Sequence, residues 1–254
     1  MAAFAPELIT KIGSFPITNT LTHTVLVDAL LVGTAMFVSK NITVVPRSVQ
    51  AIIEPLIESM YSLTESIATS KKAVEKIFPF VMTFFLFIFV SNFTSLLPGF
   101  GSIGFFHEKH EFVPLLRGAT SDINVTLALA IISVIATHVL SIQVTGIKDY
   151  LGRYFSFNPI NLYVGLLELV AEFTKIISLS FRLFGNIFAG EIALHTISNF
   201  VAFVAPLPFL LLESIVRVVQ ALVFSILPLD FRCVLTTRHR PSGLWVGSQP
   251  GTQF

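Results

Sequence analysis

Between residues 160 and 227 a largely apolar stretch carries Glu168, Glu172, Lys175, Arg182, Glu191, His195, Glu213 and Arg217. Carboxylates and histidine can exchange protons near neutral pH once their surroundings shift them, whereas an arginine stays charged. A permanent cation among titratable groups is therefore a gate or barrier, and proton conduction is the chemistry this set could perform. The competing reading is internal salt bridges that lock helices together: Glu213 and Arg217, at i and i+4, could simply neutralise one another. An arginine at mid-bilayer costs about 2.5–3.5 kcal/mol on insertion scales, so such groups face protein interior or a water path. Snorkelling from a helix end explains Lys175 better than Arg182.

The helical wheel separates these groups by direction. At about 100° per residue, Ser178, Gly185, Asn186, Ala189 and Ala193 all fall within about 60° of Arg182. The arginine thus stands on a stripe of small residues, and small side chains let another helix approach closely in a membrane. Glu191, nine residues on, points to the opposite face about 13–14 Å further along the axis. His195 lies at i+4 from Glu191 and shares that second face. On the following helix Glu213, Arg217 and Gln220 form a stripe at i, i+4 and i+7, and an antiparallel partner would bring it beside the first helix.

The elements that must hold these residues are membrane helices. Of 254 residues, 54% are hydrophobic and only 12% charged, with 26 phenylalanines; mean hydropathy is +0.81. Soluble domains carry about a quarter charged residues, so a multi-pass integral membrane protein is expected. Spans are predicted at 21–39 (diluted by His23 and Asp28), 77–97 (stopped by Pro98-Gly99) and 123–145. The region 160–227 is too long for one crossing, which needs about 20 residues; it divides into two long helices near "APLP" at 205–208. Residues 43–76 place Ile53, Leu56, Ile57, Met60, Leu63 and Ile67 at helical spacing with acids elsewhere, the pattern of an interfacial amphipathic helix; a soluble linker helix on a partner is the alternative. The fold expected is all-α and multi-pass, with about five apolar helices, the interfacial helix, and a closing pair of long helices.

Basic residues orient it. Lys40, Arg47, Lys71, Lys72 and Lys76 separate spans one and two, Lys148 and Arg153 follow span three, and Arg232, Arg238 and Arg240 follow the last. The loop 98–122 holds only Lys109 and Arg117. The positive-inside rule then gives N-out, C-in. The single cysteine, Cys233, forbids an internal disulfide and argues against a cysteine-based metal site. No removable signal or transit segment is expected at the N-terminus. With no Walker, Rossmann or zinc spacing, neither nucleotide chemistry nor a cofactor or metal is expected of this chain, and no basic run points to nucleic acid.

"SLSFRLFGNIFAGE" (178–191) followed by "VVQALVFSIL" (218–227) closely resembles the a subunit of F-type ATP synthases, and "IGSFPITNTL", "FPFVMTFFLFIFVSNFTSLLPGF" and "SDINVTLALA" fall in that family's order. The resemblance implies a membrane stator beside a rotating c-ring, held by the b subunits of a peripheral stalk. It would provide two half-channels through which protons load and unload ring carboxylates. It implies that Arg182 faces the ring carboxylate and blocks short-circuiting. Glu191 takes the acidic position of one half-channel and Glu168 that beside the other. Asn186 and Gln220 match polar positions near the arginine, and Glu213 sits where family members carry histidine or glutamate. His195 as the local histidine is an inference from this sequence and not a carried-over role. Gly185, Ala189 and Ala193 are the expected rotor contact. The family also implies that the last two helices are steeply tilted. A bacterial cell membrane is the expected location, with an organellar energy-coupling membrane as the alternative. Another ion-coupled secondary transporter or a purely structural subunit stays open as a function, although no inverted repeat is visible.

The domain organisation expected is an outer segment 1–20, a membrane domain 21–230 and an atypical tail 231–254. From Pro228 the chain brings three prolines, three glycines and three arginines without apolar periodicity. Pro228 is expected to stop the last helix. Two readings of the tail stay open, a genuine divergent end and an out-of-frame translation.

Overall fold

A computed structural model describes residues 8–12, 15–43, 49–67, 71–97, 100, 104–106, 112–147, 150, 159–200 and 206–237. Arg47, Lys109, Lys148, Arg153, Arg238, Arg240, Pro98-Gly99, Ala205 and the tail beyond 237 lie outside the described residues. The chain forms helices α1 (Asn19–Lys40), α2 (Val49–Ile67), α3 (Lys71–Ser95), α4 (Ile123–Thr145), α5 (Pro159–Phe200) and α6 (Pro206–Thr237). A 3-10 turn, Ala119–Ser121, precedes α4. Two small antiparallel hairpins depart from the all-α expectation: β1 (Leu8–Ile12) with β2 (Phe15–Thr18), and β3 (Gly104–Phe106) with β4 (Phe112–Pro114).

Local chemistry fixes the helix ends. The Thr18 hydroxyl caps α1 by accepting from the Leu21 amide at 3.4 Å, and the Asp122 carboxylate caps α4 by accepting from the Asn124 amide at 2.9 Å; each satisfies a donor the helix leaves open. α4 stops at Gly146, whose φ of 89° suits only a residue without Cβ. Prolines open α5 and α6 where their missing N–H is harmless.

Among the described residues, four helical segments are long and apolar enough to cross a membrane: Asn19–Lys40, Val74–Ser95, Ile123–Gln143 and Pro206–Leu227. The fifth apolar helix expected, α5, has 42 residues, hence a length of about 63 Å against a hydrocarbon core of about 30 Å. Two boundaries move. The amphipathic helix ends at Ile67, and residues 71–76 belong to α3, because Val74, Ile77 and Val81 already form a buried stripe on the spanning helix. Pro228 lies inside α6; a proline deletes one backbone bond and can kink a helix without ending it.

The core forms where α3, α4, α5 and α6 meet. Leu179, Leu183 and Ile187, at i, i+4 and i+8 on α5, are fully buried against Phe85 and Ile88 of α3, Ala130 of α4, and Ala221 and Phe224 of α6. Outside it, large apolar side chains such as Phe173, Leu211 and Ile215 are exposed, an extent of apolar surface suited to lipid or to a partner.

Candidate functional site

α5 carries three polar loci along its length. Its middle presents Arg182. The fully buried row Leu179-Leu183-Ile187 lies to one side, so Ser178, Arg182, Asn186 and Ala189 are left exposed and Gly185 and Ala193 half-buried. A methyl group added at Gly185 would meet nothing within 4 Å. The Arg182 guanidinium makes no ion pair or hydrogen bond with any described residue. Beside it the Asn186 amide donates to Gln220 Oε1 at 2.8 Å, joining α5 to α6. Gln220 is buried, and its own amide nitrogen has no partner among the described residues.

The second locus lies toward the end of the bundle marked by Asp122. Glu191 is half-buried there against the loop before α4: Gly118 packs so closely that a Cβ would come within 3.1 Å of Glu191 Oε1 and of Ser95 Cβ. Ser121, the guanidinia of Arg217 and Arg117 and the carboxylate of Glu213 lie within electrostatic reach of the Glu191 carboxyl. The Ser121 hydroxyl donates to Gly118 O at 2.8 Å.

Glu213 and Arg217 take up the reading in which they neutralise one another. Arg217 Nε donates to Glu213 Oε1 at 3.0 Å, and both side chains are buried. Nη1 of Arg217 donates further to Asn92 O at 2.6 Å and to Ser95 Oγ, tying α6 to the end of α3. The Glu213 carboxylate lies against Gly190, where any Cβ would collide with it. Gly190 meets Glu213 and Asn186 meets Gln220, so the two helices run in opposite directions where they touch. His195 is exposed and pairs with Asn199 at 3.3 Å on its own helix, not with Glu191.

Polar contacts continue outward from Glu191. Thr120 donates to Asn92 Oδ1 at 2.6 Å and Thr20 to Asp122 Oδ2 at 3.2 Å. His23, buried on α1, accepts the Ala119 amide on Nδ1 at 3.0 Å and contacts Thr94 Oγ1 through Nε2 at 2.9 Å. Accepting on Nδ1 fixes the neutral ring with its hydrogen on Nε2.

The third locus occupies the opposite end of α4. Lys175 Nζ donates to both oxygens of Glu172, at 3.1 and 3.0 Å, and Glu172 Oε2 lies 3.5 Å from His138 Nε2. The other ring nitrogen of His138 is 2.6 Å from the Tyr150 hydroxyl. Glu168, one turn before Glu172, is half-buried. Among the described residues no group of three potential ligands could hold a metal ion.

Sequence reasoning missed Arg117, Ser121, Ser95, Asn92, His23, His138 and Tyr150. The intramembrane-ionisable rule that picked out Arg182 applies equally to His23 and His138, each inside a predicted span. "SNFTS" at 91–95 is a polar run at the end of the second span.

The family described as ATP synthase A chain matches residues 21–231. A protein named ATP synthase subunit a from Campylobacter jejuni subsp. doylei is 33% identical over 208 residues, covering 81% of this chain and 84% of the relative. Another of that name from Moorella thermoacetica is 27% identical over 231 residues, 91% of this chain and 96% of the relative.

Proposed function

This chain belongs to the ATP synthase A chain family, and from that premise we propose that it is the proton-translocating stator subunit of an F-type ATP synthase in a bacterial plasma membrane. The observation that carries the reading is Arg182: a charged side chain in an apolar helix, exposed, without a partner among the described residues, on a stripe of small residues. A lone cation facing lipid would cost several kcal/mol, so its partner is supplied from outside. A carboxylate on a rotor helix meets that need. Asn186, exposed on the same face and held by Gln220, adds a second polar group beside Arg182.

In this mechanism the chain lies N-out, C-in, with its last two helices tilted against the c-ring and b subunits steadying it from the side. Protons reach the rotor from the outer side past Glu191, with Ser121 and Arg117 at its mouth. Glu213, paired with Arg217, fixes the wall of that path. Each proton binds a rotor carboxylate, travels with the ring and leaves by a second path near Glu168. Arg182 attracts the emptied carboxylate and keeps it ionised, because an opposite charge within a few ångströms favours the charged form. Arginine cannot itself pass the proton on, so the two paths stay separate. Gly185, Ala189 and Ala193 let the rotor helix approach. His195, exposed beyond Glu191, sits near the mouth and not in the relay.

The test is ATP-driven acidification of inverted membrane vesicles. Arg182→Ala is expected to abolish pumping at normal subunit levels; pumping at the wild-type rate by that variant would overturn the reading.

A further inference from the structure

We infer that His138 is the proton-exchanging residue of the second, inner path, with Tyr150 and Glu172 positioning it; this rests on the proton-path reading above. The third locus is separate from the Glu191 pocket. It belongs to the end of α4 opposite the Asp122 cap, and in the proposed orientation it faces the inner solution. Glu172 precedes Arg182 by ten residues, about 15 Å along the helix.

Three features single out His138. Its ring is bracketed: Tyr150 Oη lies 2.6 Å from Nδ1, and Glu172 Oε2 lies 3.5 Å from Nε2. Its side chain keeps 31% of its surface open, enough for water to reach it. Glu172 is committed to Lys175 through both oxygens, so it serves as a held anion beside the ring and not as a free carrier. Imidazole is the group in this cluster whose ordinary pKa lies near neutrality. Tyrosine and lysine titrate far above it and a carboxylate below.

The transfer conserves protons. In the neutral ring one nitrogen bears hydrogen and the other accepts. A proton arriving from water adds to the bare nitrogen, and the imidazolium is held by Glu172 on one side. The Tyr150 oxygen turns from donor to acceptor on the other. Loss of the second nitrogen's hydrogen to water restores the neutral ring, and one proton has crossed it. Run in reverse, the same steps carry a proton the other way. Water at the open edge of the ring returns it to its starting tautomer.

The experiment uses whole ATP synthase in inverted vesicles, where the inner side faces the bath. His138→Gln keeps hydrogen-bonding capacity toward Tyr150 and Glu172 but carries no proton. It is expected to lower the initial rate of ATP-driven pumping by a factor of about 10, less than the ~10²–10⁴ of a positioned proton-transfer group with no competing water. His138→Ala should show a similar loss, and imidazole added to the bath should restore much of it relative to wild type in the same imidazole. Wild-type pumping by His138→Gln overturns the inference, and so does a loss in His138→Ala that imidazole leaves untouched. Arg182→Ala measured alongside separates the two levels: if it pumps normally the underlying reading fails, and if it is inactive while His138→Gln is normal only the role of His138 fails.

Discussion

Arg182 and Arg217 are the same residue type in two neighbouring apolar helices, and their surroundings are opposite. Arg217 is 2% exposed and finds its partners within the chain: Glu213, the Asn92 carbonyl and the Ser95 hydroxyl. Arg182 is exposed and finds none among the described residues. The cost of an arginine in a membrane is thus met internally at one site, and on the proposed reading it is left to another molecule at the other. The difference distinguishes an internally paired charge from one the proposed mechanism can use better than the sequence pattern does, because both residues satisfy the rule that intramembrane ionisable groups are functional.

The largest effect expected from breaking this comparison is on Arg217. Arg217→Ala leaves Glu213 buried without its cation and removes the donor that ties α6 to the Asn92 carbonyl and the Ser95 hydroxyl. A loss of about 3–5 kcal/mol is expected, as for other buried pairs cut on one side. It would be read as a lower thermal unfolding midpoint of the detergent-solubilised complex. Arg182→Ala should leave that midpoint unchanged while pumping is lost. Replacing both partners, with Arg217→Met and Glu213→Gln, should recover most of the stability, since apolar or neutral replacements of a buried pair are often tolerated. Equal destabilisation by Arg182→Ala would erase the distinction.

A smaller effect separates two glycines on the same helix. Gly190→Ala drives a methyl into the Glu213 carboxylate and should cost about 1–3 kcal/mol, as overpacking does. Gly185→Ala meets nothing within 4 Å and should fold as well as the parent, or slightly better through helix propensity. Its effect should fall on the pumping rate, because the added methyl stands where a rotor helix approaches. A destabilised Gly185→Ala with normal pumping would invert the assignment of the two faces.

Local chemistry made part of this legible in the sequence. α4 was expected at 123–145 and is found there, because an aspartate cap and a glycine stop bracket one apolar run. The Arg182 stripe also follows from the 3.6-residue repeat, whereas the fully buried Leu179-Leu183-Ile187 row beside it emerges only in the folded structure. What local pattern could not supply was pairing across the chain. Arg217 meets Asn92 and Ser95 across separations of 125 and 122 residues, and Glu191 meets the loop at 118–121. Sharing a helix face put Glu191 and His195 near each other, but the fold turns one toward Ser121 and leaves the other with Asn199. His138 lies on α4 and its carboxylate partner Glu172 on α5, so no spacing along one helix connects them.

The central claim is that the open Arg182 face meets a rotor helix, and disulfide cross-linking tests it most directly. In a chain whose Cys233 is replaced by serine, cysteine is placed at Ala189, on the Arg182 stripe, or at Ile135, on an exposed face of α4. Each is paired with cysteines flanking the rotor carboxylate. The account predicts an oxidation-dependent cross-link from Ala189 and none from Ile135. No cross-link at Ala189, or equal cross-linking at Ile135, would contradict it.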